Sequence, residues 1–192
     1  MISGPSGAGK GTLIRRVVAC TEDLVASVSA TTRGSREGER EGREYYFVSR
    51  DGFLRMVEQR AFLEWAEYAG NLYGTPAAPV VAHLAAGRDV ILEIELQGAR
   101  QVLRRMPESL LIFIAPPSMQ ELENRLRRRE TETEEDIARR LGVAREEMAE
   151  LARDAGREVR DFDYAIVNDD VDLAAAKLCA AIEEIRQNDP TR

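Results

Sequence analysis

The sequence Gly4-Pro5-Ser6-Gly7-Ala8-Gly9-Lys10-Gly11-Thr12 leads directly into the helix-like segment Leu13-Ile14-Arg15-Arg16-Val17-Val18. A glycine-rich turn that precedes a helix presents several backbone N–H groups and the positive end of the helix to a single anion. Lys10 adds a positive charge that can reach the outer phosphates of a nucleotide. The spacing of glycines, lysine and hydroxyl therefore predicts a phosphate-binding loop followed by a helix.

Lys10 is conspicuous because lysine is rare in this chain. Lys10 and Lys177 are the only lysines among 27 basic residues, so the other 25 are arginines. Gly11 occupies the position where Ser or Thr usually follows the lysine, and the hydroxyl comes one residue later, at Thr12. This Gly-Lys-Gly-Thr variant resembles nucleoside monophosphate kinases, which favours a phosphate as the acceptor. A GTPase is less favoured, because the chain has no Asn-Lys-x-Asp guanine clamp.

Length and charge limit the other possibilities. A chain of 192 residues suits one domain, and 27 basic residues against 34 acidic ones give a net charge of −7. This balance disfavours binding to nucleic acid or to anionic membranes. No apolar run approaches the roughly 18 residues of a membrane span, and no secretory signal is evident. We therefore expect a cytoplasmic protein.

Strand-like and helix-like segments alternate along much of the chain, which predicts an α/β fold with a mostly parallel sheet flanked by helices. The strand candidates are 24–29, 89–94, 110–115 and 164–168. Spacing and capping patterns predict helices over 98–106, from Ser118 to about 129, over 173–185, and as one long amphipathic helix defined by Ile137, Leu141, Ala144, Met148, Leu151, Ala155 and Val159. Only Met1-Ile2-Ser3 precede the phosphate loop, so either the start of the chain is shortened or the first strand is a stub, which in a full-length chain would anchor the loop weakly.

Two polar segments interrupt the alternation, and they define the expected organisation of a single domain. Residues 30–80 have the character of an inserted lobe, and residues 127–140 that of a short lid. The core is then expected to comprise 1–29, 81–126 and 141–192. Lid closure would exclude water from a reacting phosphate.

The inserted segment carries side chains suited to a second phosphate ester. Arg33 and Arg36 place two guanidinium groups three residues apart, and Tyr45 and Tyr73 can donate from their phenols. Glu64 is of particular interest, because a carboxylate accepts both N1–H and N2–H₂ of guanine, whereas adenine presents an acceptor there. Each of these residue types is commonly only a surface or packing residue.

Their order along the chain is more specific than any one of them. The series Ser-x-Thr-Thr-Arg-x-x-Arg from Ser29, Gly42 to Phe47, Phe62 to Ala66, Gly70 to Thr75, Glu93 to Gly98, Phe113 to Ser118, Arg125 to Arg140 and Ile166 to Asp170 resembles the guanylate kinase family nearly from end to end. The resemblance implies a P-loop kinase fold and ATP-dependent phosphorylation of GMP, and of dGMP, in purine nucleotide metabolism.

The resemblance also implies a role for individual residues. The GMP-binding candidates are Ser29, Arg33, Arg36, Tyr45, Glu64, Tyr73, Thr75 and Glu93. The ATP-binding candidates are Gly4, Pro5, Ser6, Gly7, Ala8, Gly9, Lys10, Gly11, Thr12, Arg125, Arg129 and Asn168, with Asn168 near the adenine. The catalytic candidates, which would neutralise charge on the phosphates in transit, are Lys10, Arg36, Arg129 and Arg140.

Mg²⁺ is the expected metal, bound through phosphates and waters, because this cation retains much of its hydration. Thr12, Glu93 and Glu95 are the candidate protein contacts. The two glutamates alternate on one face near the end of the predicted strand 89–94. The family more often has Asp at both positions.

Two alternative functions remain for this sequence. A guanylate-kinase-like module that binds phosphopeptides is one alternative, but such modules typically have a degraded phosphate loop. The other is a kinase of the same fold that acts on AMP or a ribose bisphosphate.

Cys20 and Cys179 are expected to be small buried hydrophobic residues, and His83, the only histidine, is expected on a surface helix.

Overall fold

The computed structural model describes residues 1–68, 70–128, 133–154 and 162–188. The chain forms two compact units, which are considered separately below. The first unit combines 1–22 with 110–192, and the second comprises 23–109. The expected division into a core, a lobe at 30–80 and a lid at 127–140 stays a prediction.

Strands and helices alternate, as expected for an α/β protein. In chain order the elements are β1 (Ile2–Ser3), α1 (Lys10–Cys20), β2 (Leu24–Ala26), β3 (Ala30–Thr31), β4 (Tyr46–Phe47), α2 (Arg50–Glu58), β5 (Phe62–Tyr68), β6 (Asn71–Pro76), α3 (Ala77–Ala85), β7 (Asp89–Ile91), α4 (Leu96–Arg105), β8 (Ile112–Ala115), α5 (Met119–Arg127), α6 (Glu134–Asp154), β9 (Tyr164–Val167) and α7 (Val171–Asn188).

The first unit is built on a parallel sheet with the strand order β1-β8-β9. All four residues of β8 are buried and three of them are Ile or Phe. A short apolar strand that is buried on both faces is typical of parallel sheets covered by helices. Within this unit α1 packs against α7, and α5 packs against α6.

The strand that precedes the phosphate loop is short. β1 contains only two residues, both buried, and Ile2 pairs with Ile112 and Ser3 with Phe113. The chain turns into the phosphate loop immediately afterwards. The strand that leads into the loop therefore contributes only two paired positions to the described sheet.

The helices at the predicted lid follow the sequence pattern closely. The Ser118 hydroxyl accepts a hydrogen bond from the Glu121 backbone N–H at 3.1 Å, which caps the start of α5. The apolar positions of the two helices form one cluster, whose buried members are Leu122, Leu126, Ile137, Leu141 and Ala144. The long-helix prediction is confirmed as far as Asp154, and Ala155 and Val159 lie outside the described residues.

The second unit contains two sheets. β2 and β7 form a parallel pair, and the segment at 30–80 folds into a four-stranded sheet with the order β4-β3-β6-β5. Its core includes Ala30, Leu72 and the rings of Phe53 and Phe62, which stack with their centroids 4.4 Å apart. β5 and β6 pair antiparallel, so that Glu64 lies opposite Thr75.

The prediction that both cysteines are buried is wrong. Cys20 is exposed and Cys179 is only partly buried. Cys20 is the last residue of α1, one turn past Val17, the last buried residue of the helix. His83 lies on α3, as expected. In the part of the chain that the structure describes, no helix has the length and apolar character required to span a bilayer.

Candidate active site

The phosphate loop connects β1 to α1 in the first unit. Gly9 precedes the first residue of α1, Lys10, whose Nζ donates to the carbonyl oxygens of Gly4 at 2.5 Å and Pro5 at 3.1 Å. The lysine ammonium is thus folded back over the loop. The chain therefore concentrates positive charge where a helix N-terminus already favours an anion.

At two positions of the loop, Gly4 and Gly9, the structure requires glycine. Gly4 and Gly9 adopt positive φ angles of 136° and 92°, which residues with a side chain rarely adopt. A Cβ at Gly4 would collide with the Ile114 carbonyl oxygen on β8, and a Cβ at Gly9 would collide with the Asn168 side-chain amide. The loop backbone consequently lies directly against the ends of its supporting strands.

Asn168 contacts this loop directly, and Arg125 in turn contacts Asn168. The Asn168 side chain is 5% exposed, and its Nδ2 donates to the Ala8 carbonyl oxygen at 2.7 Å. Arg125 donates from Nη2 to the Asn168 carbonyl oxygen at 3.0 Å and from Nε to Glu121 at 3.0 Å. The structure thus places Asn168 against the phosphate loop and Arg125 against Asn168. Contact between Asn168 and adenine stays a prediction.

Arg140, one of the predicted catalytic arginines, reaches the loop from α6. Its Nη1 donates to the Ser6 hydroxyl at 2.6 Å. The other predicted lid arginine, Arg129, lies outside the described residues. One arginine of the predicted lid therefore lies beside the phosphate loop, and the role of Arg129 stays a prediction.

In the second unit, Glu64 is a buried carboxylate with one clear partner. It is 7% exposed, and its Oε1 accepts a hydrogen bond from the Thr75 hydroxyl at 2.7 Å. Burial raises the pKa of Glu64; the hydrogen bonds from Thr75 oppose this shift, and the nearby charge of Glu95 adds to it. Gly98 makes room for the carboxylate, because a Cβ there would lie 2.6 Å from Oε2.

Arg33, Tyr45 and Tyr73 are neighbours in the second unit. The Arg33 guanidinium carbon lies 5.4 Å from the centre of the Tyr45 ring, and the two tyrosine rings are 6.2 Å apart in an edge-on arrangement. The hydrogen bond from Arg33 to Glu39 is the largest cause of the raised pKa of Arg33, and Tyr73 adds a smaller contribution in the same direction. The result is a cluster of donors that could grip one phosphate.

Glu39 was not identified from the sequence, although it holds this cluster. Its carboxylate accepts from Arg33 Nη2 at 2.8 and 3.0 Å and from the Arg36 backbone N–H at 2.8 Å. The hydrogen bond from Arg33 holds the pKa of Glu39 below its usual range. Its position six residues after Arg33 was the only signal, and a run of exposed glutamates surrounds it.

The remaining candidates divide by exposure. Arg36 and Glu93 are exposed, and Ser29 is partly buried. Burial raises the pKa of Tyr45, and the next largest cause is the negative charge of Glu93, which associates Glu93 with the arginine and tyrosine cluster. All the described ATP-binding candidates lie in the first unit, and all the GMP-binding candidates lie in the second.

The possible protein ligands for a metal are exposed oxygen donors. Glu93 and Glu95 are exposed on either side of buried Ile94, and Thr12 is exposed on the first turn of α1. Among the residues that the structure describes, no three His, Cys, Asp or Glu side chains are grouped to hold a metal. Such donors fit a hydrated cation that takes further ligands from phosphate and water.

The parallel sheet, the glycine-rich loop and the arginines around it define a P-loop kinase. Comparison with known proteins agrees with this class. The family model "Guanylate kinase" matches residues 1–185. The chain therefore belongs to the guanylate kinase family.

Curated relatives match over most of their length. A guanylate kinase of Parasynechococcus marenigrum is 53% identical over 178 residues, which cover 93% of this chain and 93% of the relative. A guanylate kinase of Rubrobacter xylanophilus is 50% identical over 185 residues, 96% and 93% of the two chains. The crystal structure of guanylate kinase from Anaplasma phagocytophilum matches with a TM-score of 0.75 and 33% identity, covering 100% of this chain and 88% of that one.

Proposed function

We infer that this enzyme transfers the terminal phosphoryl group of ATP to GMP, with dGMP as a second acceptor, and serves purine nucleotide metabolism. Family membership supports the reaction. The observation that carries the choice of acceptor is the buried Glu64 carboxylate, held by Thr75 and fitted against Gly98. A buried anion with this support is costly unless a ligand uses it.

The guanine edge explains why a carboxylate is placed there. N1–H and N2–H₂ of guanine are adjacent donors, and an ionised Glu64 accepts from both. Thr75 orients the carboxylate through Oε1. Adenine presents an acceptor in place of N1–H, so the charge of Glu64 would repel it.

The arginine and tyrosine cluster suits the phosphate of GMP. Arg33 is fixed by a two-pronged hydrogen bond to Glu39 and by the Tyr45 ring. A fixed guanidinium loses little conformational entropy when it binds a phosphate. Arg36 and Tyr73 complete the proposed phosphate site.

The phosphate loop suits the triphosphate of ATP. Backbone N–H groups at the start of α1 and Lys10 would bind its phosphates, and Arg140 at Ser6 would add charge as the phosphoryl group moves. Direct in-line transfer needs little covalent help from protein and depends on alignment and charge neutralisation. The proposed catalytic residues are Lys10, Arg36, Arg129 and Arg140.

A kinase that uses ATP generally needs a divalent cation, and we propose Mg²⁺. When bound, Mg²⁺ neutralises charge on the phosphates and orients them. Exposed Glu93 and Glu95 would hold waters of a hydrated cation in the second unit, and Thr12 would do so in the first.

A panel of acceptors tests the proposed function. The purified protein is incubated with Mg-ATP and separately with GMP, dGMP, AMP, CMP, UMP, a ribose phosphate or a phosphopeptide, and ADP formation is measured. We expect ADP with GMP and dGMP only. ADP formation with AMP but not with GMP would overturn the assignment of Glu64, and phosphopeptide binding without turnover would favour the non-catalytic module.

Replacing Arg33 with lysine should raise the KM for GMP by about tenfold, since one strong charged hydrogen bond is worth roughly 1.5–3 kcal/mol. Lysine retains the charge but cannot fork onto both Glu39 and a phosphate. Steady-state kinetics at saturating ATP would measure the change. Arg43→Lys is the control, because Arg43 is exposed in the same segment. An unchanged KM in Arg33→Lys would remove Arg33 from the phosphate site.

GMP use should decline as the pH falls toward the acid range. Burial raises the pKa of Glu64 above its ordinary value of 4.5, so the carboxylate gains a proton at a higher pH than an exposed glutamate does. The protonated form cannot accept from both guanine donors, and the KM for GMP therefore rises. Kinetics from about pH 8 to about pH 5 would show this. Glu64→Gln is the control, since GMP itself titrates equally with both proteins; identical pH profiles would contradict the role of Glu64.

A further inference from the structure

Cys20 and Cys179 are neighbours in space although they lie 159 positions apart in sequence. Cys20 ends α1 and Cys179 lies within α7, and their sulfur atoms are 3.9 Å apart. Thr21 Oγ1 lies 3.9 Å from the same Cys179 sulfur. Both helices belong to the first unit.

Contacts on both sides of the thiols fix the register of the two helices. Arg16 forms an ion pair with Asp172 near the start of α7. Toward its end, Arg186 donates to the Glu22 carbonyl oxygen at 2.8 Å. The cysteine pair lies between these contacts, so the packing of α1 on α7 holds the two sulfur atoms together.

The local backbone allows the remaining approach. A disulfide has a sulfur separation of about 2.05 Å, so the two atoms must close by about 2 Å. Cys20 is the last helical residue, and Thr21 after it is already extended, with φ −117° and ψ 117°. A side-chain rotation with a small adjustment at this helix end can therefore supply the approach.

We propose that Cys20 and Cys179 are a redox modification site that forms a reversible intramolecular disulfide, with a small-molecule disulfide such as oxidised glutathione as the oxidant. Neither thiol has a place in the proposed transfer of a phosphoryl group. The pair joins the helix that leaves the phosphate loop to the helix that follows Asn168.

The reaction balances in two exchange steps. Exposed Cys20 loses its proton to solvent, attacks one sulfur of oxidised glutathione and expels one glutathione thiolate. Cys179 then loses its proton, attacks the Cys20 sulfur of the mixed disulfide and expels the second glutathione thiolate. The two cysteines are oxidised, and one oxidised glutathione is reduced to two glutathione molecules.

The order of the steps follows from the surroundings of the thiols. Burial raises the pKa of Cys179, and its contact with Cys20 and the charge of Glu183 act in the same direction, whereas the hydrogen bond with Thr21 opposes them. Cys20 is exposed and meets the oxidant first. Cys179 therefore serves as the resolving thiol.

The disulfide should raise thermal stability and leave turnover unchanged. A cross-link that closes so long a loop restricts the unfolded chain strongly and should raise Tm by about 5 °C or more. Ten residues of helix separate Cys20 from Lys10, roughly 15 Å at the usual rise. The phosphate loop should therefore keep its geometry after oxidation.

The test uses the whole chain, reduced and then incubated with oxidised glutathione. We expect a mass lower by about 2 Da without dimer formation, a raised Tm, reversal by dithiothreitol and an unchanged kcat with ATP and GMP. Cys20→Ser and Cys179→Ser are matched variants. The Cys179→Ser variant should retain one glutathione on Cys20 as a mixed disulfide, the Cys20→Ser variant should react more slowly because Cys179 is partly buried, and neither should show a rise in Tm. If one variant folds poorly, the other variant and the mass change of the wild-type protein still test the proposed disulfide.

Three results would overturn the proposal. These are a stable mixed disulfide in the wild type without closure, intermolecular dimers as the main product, or a disulfide that forms without raising Tm. A mass decrease of the same size in either serine variant would assign the product to other chemistry and would also count against the pair.

Discussion

Replacing Lys10 with alanine will lower kcat by at least about 100-fold, the scale seen when one preorganised charge-stabilising donor is removed. Lys10 begins α1, and its ammonium is held against the carbonyl oxygens of Gly4 and Pro5 at the phosphate loop. Negative charge on the phosphates shifts during transfer. A cation fixed at the loop therefore stabilises the transition state more than it stabilises the bound substrates. Steady-state kinetics with varied ATP and saturating GMP measure the loss.

Lys177→Ala provides a matched control for the Lys10 substitution. These two residues are the only lysines of the chain, and Lys177 is exposed on α7. We expect the Lys177 variant to keep full turnover. Binding of GMP to the Lys10 variant, measured by calorimetry, should be preserved because the GMP-binding candidates belong to the other unit. Normal turnover by Lys10→Ala with an intact fold would refute the proposed role of the loop.

The phosphate loop and the parallel sheet could be predicted because their signals are local. The glycines with positive φ are fixed by backbone geometry, and the strand Ile112–Ala115 is a continuous apolar run. The helix from Ser118 was recognisable from its cap, which the structure confirms. Such features depend on residues only a few positions apart.

The four-stranded sheet of the second unit was missed for a physical reason. β3 and β4 contain two residues each, too few to show alternation, and their pairing is set by contacts with distant strands. The inserted segment was predicted as a lobe that binds a phosphate ester, but its strands were not predicted. Its architecture depends on long-range pairing that a local pattern cannot show.

Side-chain partners were predicted unevenly. Glu64 and Thr75 were both named, but the hydrogen bond between them depends on the antiparallel register of β5 and β6. Glu39 resembled its exposed neighbours, and its hold on Arg33 appears only in three dimensions. The cysteine pair was missed because 159 positions separate the two residues.

Replacing Glu64 with glutamine will lower kcat/KM for GMP by about 100-fold or more, because sites built to hydrogen bond a ligand discriminate strongly when donor and acceptor no longer match. The amide of glutamine has one acceptor oxygen, and its NH₂ group would face a guanine donor. Since burial raises the pKa of Glu64, the ionised carboxylate costs stability at neutral pH, and the variant should unfold at the same or a higher temperature. Kinetics and thermal melts of the same sample separate the two effects.

Glu67→Gln is the control for this substitution, since Glu67 lies three residues further along β5 and is exposed, whereas Glu64 is buried. The same chemical change at Glu67 removes a surface charge and should leave GMP use unaltered. The comparison therefore isolates the guanine contact from the loss of charge on the strand. If Glu64→Gln used GMP as well as the Glu67 variant does, the buried carboxylate would not be the guanine acceptor, and acceptor choice would have to depend on other groups.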